Sequence, residues 1–295
     1  MNDSRAIFPA CSLLLILGFL VGCSSARDAA YKQSVEQWRK NHLAKVTSDD
    51  GDLTYAALLW LREGSNSFGS APDNDLVLPL PVPPKAGSIK SQSGKFTVRV
   101  NPDVPITMNG KPIHTAELKP DDWDSRMFLG DLTFYIHQAG ERFALRMKDK
   151  NSKLRQEFTG LRWFPIDPAW RVKAHFVPYS SPREVPIEGM LGDRSTLPMA
   201  GYVTFDLHGR SYKLEGLQDN DGSLFFIFRD LTSKKDTYQV RFLKTTPPAN
   251  GEVELDFNEA YNPPCAFNPY TTCPLPTPGN RLQIEIPAGE KRYHP

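Results

Sequence analysis

The spacing of hydrophobic and polar positions changes along the chain, and the changes divide it. From Cys11 to Leu20 the residues form one apolar run behind the basic Arg5. From Tyr31 to about Lys45 the period is three to four. Tyr31, Val35, Trp38, His42 and Val46 share a stripe, with Lys and Arg elsewhere, which predicts an amphipathic helix packed on a sheet. The run Leu53–Leu61 fits a short helical turn or a buried strand equally. After Gly64 the period drops to two. Strands are predicted at 77–79, 94–100, 106–108, 111–114, 131–137 and 142–147, between Gly, Pro, Asn and Asp turns. Asn109-Gly110 is a two-residue hairpin signal, because both positions tolerate positive φ. Trp163-Phe164-Pro165 and residues 170–176 bridge to a second alternating region, with strands expected at 201–207, 210–217, 223–229, 236–243, 252–256 and 280–286. His208-Gly209 and Asp219-Asn220-Asp221-Gly222 read as turns. The chain is therefore mostly β, with an N-terminal helix and β-sandwich followed by a second small β-sheet or barrel domain. Its 26 prolines fit strands joined by turns better than a helical bundle.

The start of the chain sets its address. A basic residue, a short apolar run and Leu20-Val21-Gly22-Cys23 make a secretory signal with a cysteine at the cleavage point. The run is shorter than the roughly twenty residues a spanning helix needs. The pattern resembles the lipobox of bacterial lipoproteins, which implies that Cys23 carries lipid, that residues 1–22 are a signal peptide and that 23–30 are a tether. Ser24 after the cysteine resembles lipoproteins sorted to the outer membrane. The implied location is its periplasmic face, with the membrane reached through the N-terminal lipid.

Composition narrows the partners. The net charge is +1 with both signs interspersed, so a nucleic-acid footprint is missing. Of four cysteines, Cys11 leaves with the signal and Cys23 is the anchor, so Cys265 and Cys273 remain as a pair. A disulfide is their expected state in an oxidising compartment. A metal centre on these two alone lacks further ligands at short spacing, and neither a metal nor a cofactor is expected.

Two resemblances add to this. Phe68-Gly69, Asn74 to Pro79, Met108 to Ile113, Leu118 and Leu129 to Phe134 occur in the order found in forkhead-associated domains, over about residues 65–148. The pattern departs where that family grips phosphate. The arginine after the first glycine is Ser70, and the Ser-x-x-His stretch is replaced by Pro84 to Ser88. The resemblance thus implies the sandwich without bidentate phosphothreonine binding. The organisation expected is 31–62 helical, 63–155 a forkhead-associated-like sandwich and 156–295 the C-terminal β-domain.

The C-terminal domain holds the densest chemistry, in the segment 255–276 with Phe228 to Thr232, Thr237 to Phe242, Asn280 to Leu282 and Ala288 to Glu290. Together with Trp38-Arg39, Trp60 to Gly64 and Gly160 to Pro165, these segments resemble domain of unknown function 1684, a bacterial and archaeal family without an established activity. Read from the residues, the Tyr261–Cys273 loop is rich in Pro and amides and suits recognition. Arg229, Arg241 and Arg281 offer guanidinium forks. Asp230, Asp256 and Glu290 offer carboxylates, and Tyr238, Asn258, Tyr261 and Asn262 complete the candidate set. One reading brings these together as a pocket for an envelope ligand or protein. The other has them cap turns and pair inside the sheet. A third, from another class, is a metal-independent hydrolase using Asp256, Glu259 or Glu290 as acid or base on a glycan or ester. Both the recognition and the hydrolase readings expect Asn262→Ala to leave the fold intact while removing function.

Overall fold

The helical stripe is one face of α1 (Leu14–Val46). Val35 and Val46 are fully buried on that face, while Tyr31, Trp38 and His42 are half-buried beside them. The computed structural model describes the backbone of residues 14–293 and the side chains of 26–293, so the signal segment and the Cys23 side chain lie outside the described residues. Among the described residues no helix is long and apolar enough to cross a membrane.

A 3-10 turn at Asp52–Thr54 settles the ambiguous run, which continues as strand β1 (Tyr55–Trp60). There follow β2 (Gly64–Gly69), β3 (Leu76–Val77), β4 (Gly87–Gln92), β5 (Lys95–Val100), β6 (Thr107–Met108), β7 (Lys111–Pro112), β8 (Thr115–Leu118), β9 (Met127–Leu129), β10 (Leu132–Ala139) and β11 (Arg142–Asp149). They form two sheets, ordered β1-β11-β10-β9-β6-β7 and β3-β2-β4-β5-β8. Phe68, Ile89, Phe96, Ile106, Phe134 and Leu145 fill the space between them. The Asn109-Gly110 turn has φ of 52° and 73°, the two positive values that a twist-matched hairpin turn requires. Along β11, Leu145 and Met147 point into this core, so the alternate Arg146 and Lys148 face outward. Yet both are buried, because another part of the chain covers them.

A third sheet, in the C-terminal domain, is ordered β16-β15-β14-β13-β12-β17, from β12 (Arg171–Glu188), β13 (Arg194–Leu207), β14 (Arg210–Gln218), β15 (Leu224–Phe228), β16 (Arg241–Lys244) and β17 (Glu252–Asp256). Three expectations are corrected here. The segment read as a bridge over 170–176 is the start of β12, the longest strand, despite Pro178, Pro182 and Pro186. Its outer edge pairs with β17 only over Arg171–His175, so the prolines beyond forfeit no ladder bond on that edge. The strand expected at 236–243 shrinks to β16, because the amides of Lys235, Asp236 and Thr237 all turn back onto the Thr232 carbonyl. The strand expected at 280–286 is coil, tied to β15 by one bridge between Arg229 and Arg281. From Phe257 onward the chain wraps the sheet as coil with short 3-10 turns at Phe257–Glu259, Pro264–Ala266 and Pro278–Asn280, and Phe257, Ala260, Leu282, Ile286 and Ala288 close the core.

Candidate functional site

The motif residues come together as several buried clasps. At the centre is Arg241 on β16, fully enclosed with its partner Asp230. Its Nη1 donates to Asp230 Oδ2 at 2.6 Å and to the Ile286 carbonyl at 3.1 Å, and Nη2 donates to the Ala288 carbonyl. Asp230 also accepts from the Thr232 amide at 2.7 Å, so one carboxylate holds both the arginine and a turn. An unpaired buried guanidinium would cost several kcal/mol. The ion pair therefore locks the C-terminal coil onto the sheet. Gly289 is required at this point, since its φ is +77° and an added Cβ would lie 2.4 Å from the Ala260 carbonyl oxygen and 2.9 Å from Arg241.

The second clasp docks α1. Tyr31 donates its hydroxyl proton to the Asp256 carboxylate, 2.8 and 2.9 Å from its two oxygens. Asn258 Nδ2 donates to the Tyr31 hydroxyl at 2.8 Å and to the Asp167 carbonyl at 2.9 Å. Arg39 donates to the Phe164 carbonyl at 3.2 Å and lies 4.7 Å from the Trp163 ring centre. Burial raises the Tyr31 phenol, helped by the Asp256 charge. Burial likewise lifts Asp256 above the usual carboxylate range. Burial, and then the charges of Asp256 and Glu254, push Glu259 up to about 7.

The third clasp is Asn262 with Glu290. Asn262 donates its amide N–H to Glu290 Oε2 at 2.9 Å and its Nδ2 to Oε1 at 2.7 Å and to the Lys291 carbonyl at 2.9 Å. His42 Nε2 stands 3.5 Å from Glu290 Oε2. The His42 ring stacks on Trp38 at 5.2 Å and lies 4.8 Å from the Tyr261 ring.

The rest of the Tyr261–Cys273 loop reaches the sandwich. Asn268 Nδ2 donates to the carbonyls of Asp52 and Tyr55 at 3.2 and 2.8 Å. Thr272 Oγ1 lies 2.7 Å from His137 Nε2 and accepts from Arg146 at 3.2 Å. This loop covers Arg146 on the outward face of β11, while Lys148 beside it donates to Asp50 and lies over the Tyr55 ring. The expected disulfide is not shown, and Cys265 and Cys273 stand as free thiols. The Cys265 amide donates to Cys273 Sγ at 3.2 Å. A hydrogen bond between the two sulfurs raises the Cys265 thiol and lowers that of Cys273. Tyr238 donates to the Cys265 carbonyl at 3.0 Å, closing the loop's other flank.

The candidates thus do not converge on one pocket. Asp230 pairs with Arg241, Asp256 with Asn258, and Asn262 with Glu290, each inside a separate clasp. Arg229 and Arg281 stand apart, lining an open depression of about 330 Å³ with Lys234, Gln239 and Gln283. The sequence reading missed Asn268, Thr272, Arg146 and Asn280. Asn280 is fixed like the others, accepting the Glu215 amide and donating to the Glu215 and Ile227 carbonyls at 2.8–2.9 Å. Its signal was the repeated pairing of asparagine with Pro and Gly in coil, at 262, 268 and 280.

Residues 156–291 match the family described as "Protein of unknown function (DUF1684)". No curated protein matches the chain. Among solved structures, an uncharacterized protein of Haloarcula marismortui is 33% identical over 46% of this chain and 78% of its own, with a TM-score of 0.40. A forkhead-associated domain from Chlamydia trachomatis is 20% identical over 29% of this chain and 79% of its own, with a TM-score of 0.22. A structure titled for phosphothreonine-dependent forkhead-associated domain interactions is 21% identical over 32% of this chain and 96% of its own, with a TM-score of 0.23.

Proposed function

We propose that this chain is a lipid-tethered binding and scaffolding protein of the cell envelope, held through Cys23 at the periplasmic face of the outer membrane and without catalytic activity. The observation that carries the reading is the internal commitment of three of the motif carboxylates, Asp230, Glu290 and Asp256. Asp230, with Arg241, is fully enclosed. Glu290 is 1% exposed and accepts from Asn262. Asp256 accepts from Tyr31 and Asn258. A glycosidase or esterase needs its acid and base across an open cleft from a substrate bond. Arginine-paired and amide-capped carboxylates instead fix architecture, here joining α1 and the C-terminal coil to the C-terminal sheet.

The loop expected to recognise a ligand spends most of its polar groups on this joining, so the open surface beside it carries recognition. The test has two parts on the full-length protein. Incorporation of labelled palmitate that Cys23→Ser abolishes supports the tether. A panel of chromogenic esters and glycosides should show no turnover above background, and turnover that Glu259→Gln removes would overturn the reading in favour of hydrolysis.

A further inference from the structure

The open depression at Arg229 and Arg281 belongs to a longer groove. Arg281 also lines a hollow formed by Pro186, Ile187, Leu275 and Pro278, and Lys234 and Gln239 also line a third hollow with Tyr238 and Arg292. The three hollows are neighbours along one face, the outer two each sharing a lining residue with the arginine depression, apolar at the Ile187 end and basic along the rest.

Two observations make the basic part more than a solvated face. First, Arg229 and Arg281 are directly opposite one another in a parallel bridge, with the Arg229 amide donating to the Asn280 carbonyl and the Leu282 amide to that of Arg229. Bridged residues point to the same side, about 5 Å apart. Like charges so placed repel, and neither guanidinium has a carboxylate partner among the described residues. The lining acids do not relieve this. Asp230 is bound to Arg241, and Glu188 faces Arg194 at 3.9 Å. Second, Thr277 lines the apolar end and is more than nine-tenths buried, and its hydroxyl has no hydrogen-bond partner. A buried hydroxyl without a partner is costly, and a side-chain rotation toward a bound ligand would satisfy it.

We propose that this groove binds an extended acidic peptide, with a carboxylate held between Arg229 and Arg281 and an aliphatic side chain at the Ile187–Pro278 end beside Thr277. This rests on the binding reading above and names its ligand. Paired guanidinium forks match a carboxylate bidentately. Gln239 and Gln283 supply amides for a peptide backbone. The hollows at Ile187 and at Arg229 have no aromatic lining on which a sugar ring would stack.

The test uses the full lipoprotein in detergent micelles and a fluorescein-labelled peptide of Glu-Leu-Glu-Pro repeats, with labelled polyphosphate as a second probe. Arg229→Gln and Arg281→Gln should each weaken peptide binding at least about tenfold, with partial recovery on substitution by Lys. Lys213→Gln, outside the groove, should change nothing. Without ligand the two arginine variants should melt at or above the wild-type temperature, since each relieves repulsion and breaks no pair. Equal binding by variants and wild type, no binding of the peptide, or lower melting temperatures in the ligand-free variants would each overturn the proposal. Polyphosphate binding that the variants abolish, without peptide binding, would replace the peptide by a phosphate chain. The envelope-binding reading falls separately, only on turnover.

Discussion

Replacing Asn262 separates a recognition residue from a structural one. Asn262→Ala deletes two hydrogen bonds, a charge-assisted one to Glu290 at 2.7 Å and a neutral one to the Lys291 carbonyl at 2.9 Å. The first contributes about 1.5–3 kcal/mol and the second about 1. Against this, Asn262 Oδ1 is buried without a partner, so removing it returns on the order of 1 kcal/mol. The net loss is about 1.5–3 kcal/mol. For a chain of this size that lowers the melting temperature by about 3–12 °C. Asn262→Asp keeps the shape but turns an oxygen toward Glu290. At pH 8 two carboxylates then share one buried site, and the protein should be less stable than the alanine variant. Their shared pKa in the folded state is raised, so stability present at low pH is lost as pH rises, and the deficit of the aspartate should shrink toward pH 5. Scanning calorimetry at both pH values measures this. An alanine variant that melts within about 1 °C of wild type refutes the clasp and restores the expectation of an intact fold.

Two further outcomes follow from the other clasps. Glu259 has its folded pKa raised from the ordinary 4.5 to about 7, so its contribution to stability is fully present below the unfolded value and is lost as pH rises between the two. The shift corresponds to at most about 3 kcal/mol, cut to about 1–2 by partial solvent access. Glu259→Gln should therefore melt above wild type at pH 8 and level with it at pH 4.5, and parallel melting curves for both across that range would contradict the assignment. Asp230→Ala strands Arg241 in the core and should cost about 3–5 kcal/mol, whereas Asp230→Leu with Arg241→Met should recover only part of it, because methionine leaves the Ile286 and Ala288 carbonyls without their donor. Chemical denaturation of the three proteins checks this, and a double variant no better than the single would show that the pair is not the cause.

Much of the architecture was written in periodicity. The three-to-four stripe of α1, the hairpin at Asn109-Gly110 and the turn at His208-Gly209 depend on local spacing and backbone freedom, and both turns have positive φ at each residue. What periodicity missed was decided at a distance. Proline argues against a strand only where its missing N–H would face a partner, and whether the edge of β12 has one beyond His175 depends on how far β17 runs. The strand expected at 236–243 failed for the converse reason, since Thr232 draws three following amides into a turn.

The misread part of the site points to a general ambiguity of chemistry. Asparagine, arginine and carboxylates crowded among prolines suit a ligand pocket, but they equally suit irregular chain that must stay buried. Coil lacks a ladder, so its enclosed backbone groups need side-chain partners. Asn268 serves the carbonyls of Asp52 and Tyr55, Asn280 those of Glu215 and Ile227, and Arg241 those of Ile286 and Ala288. Each partner lies far along the chain, which is why no spacing rule could reveal it. The two arginines outside this network, Arg229 and Arg281, are the informative ones, because nothing in the fold needs two like charges in register. Density of polar residues marked the clasps, and the charges left without partners mark the surface that meets a ligand.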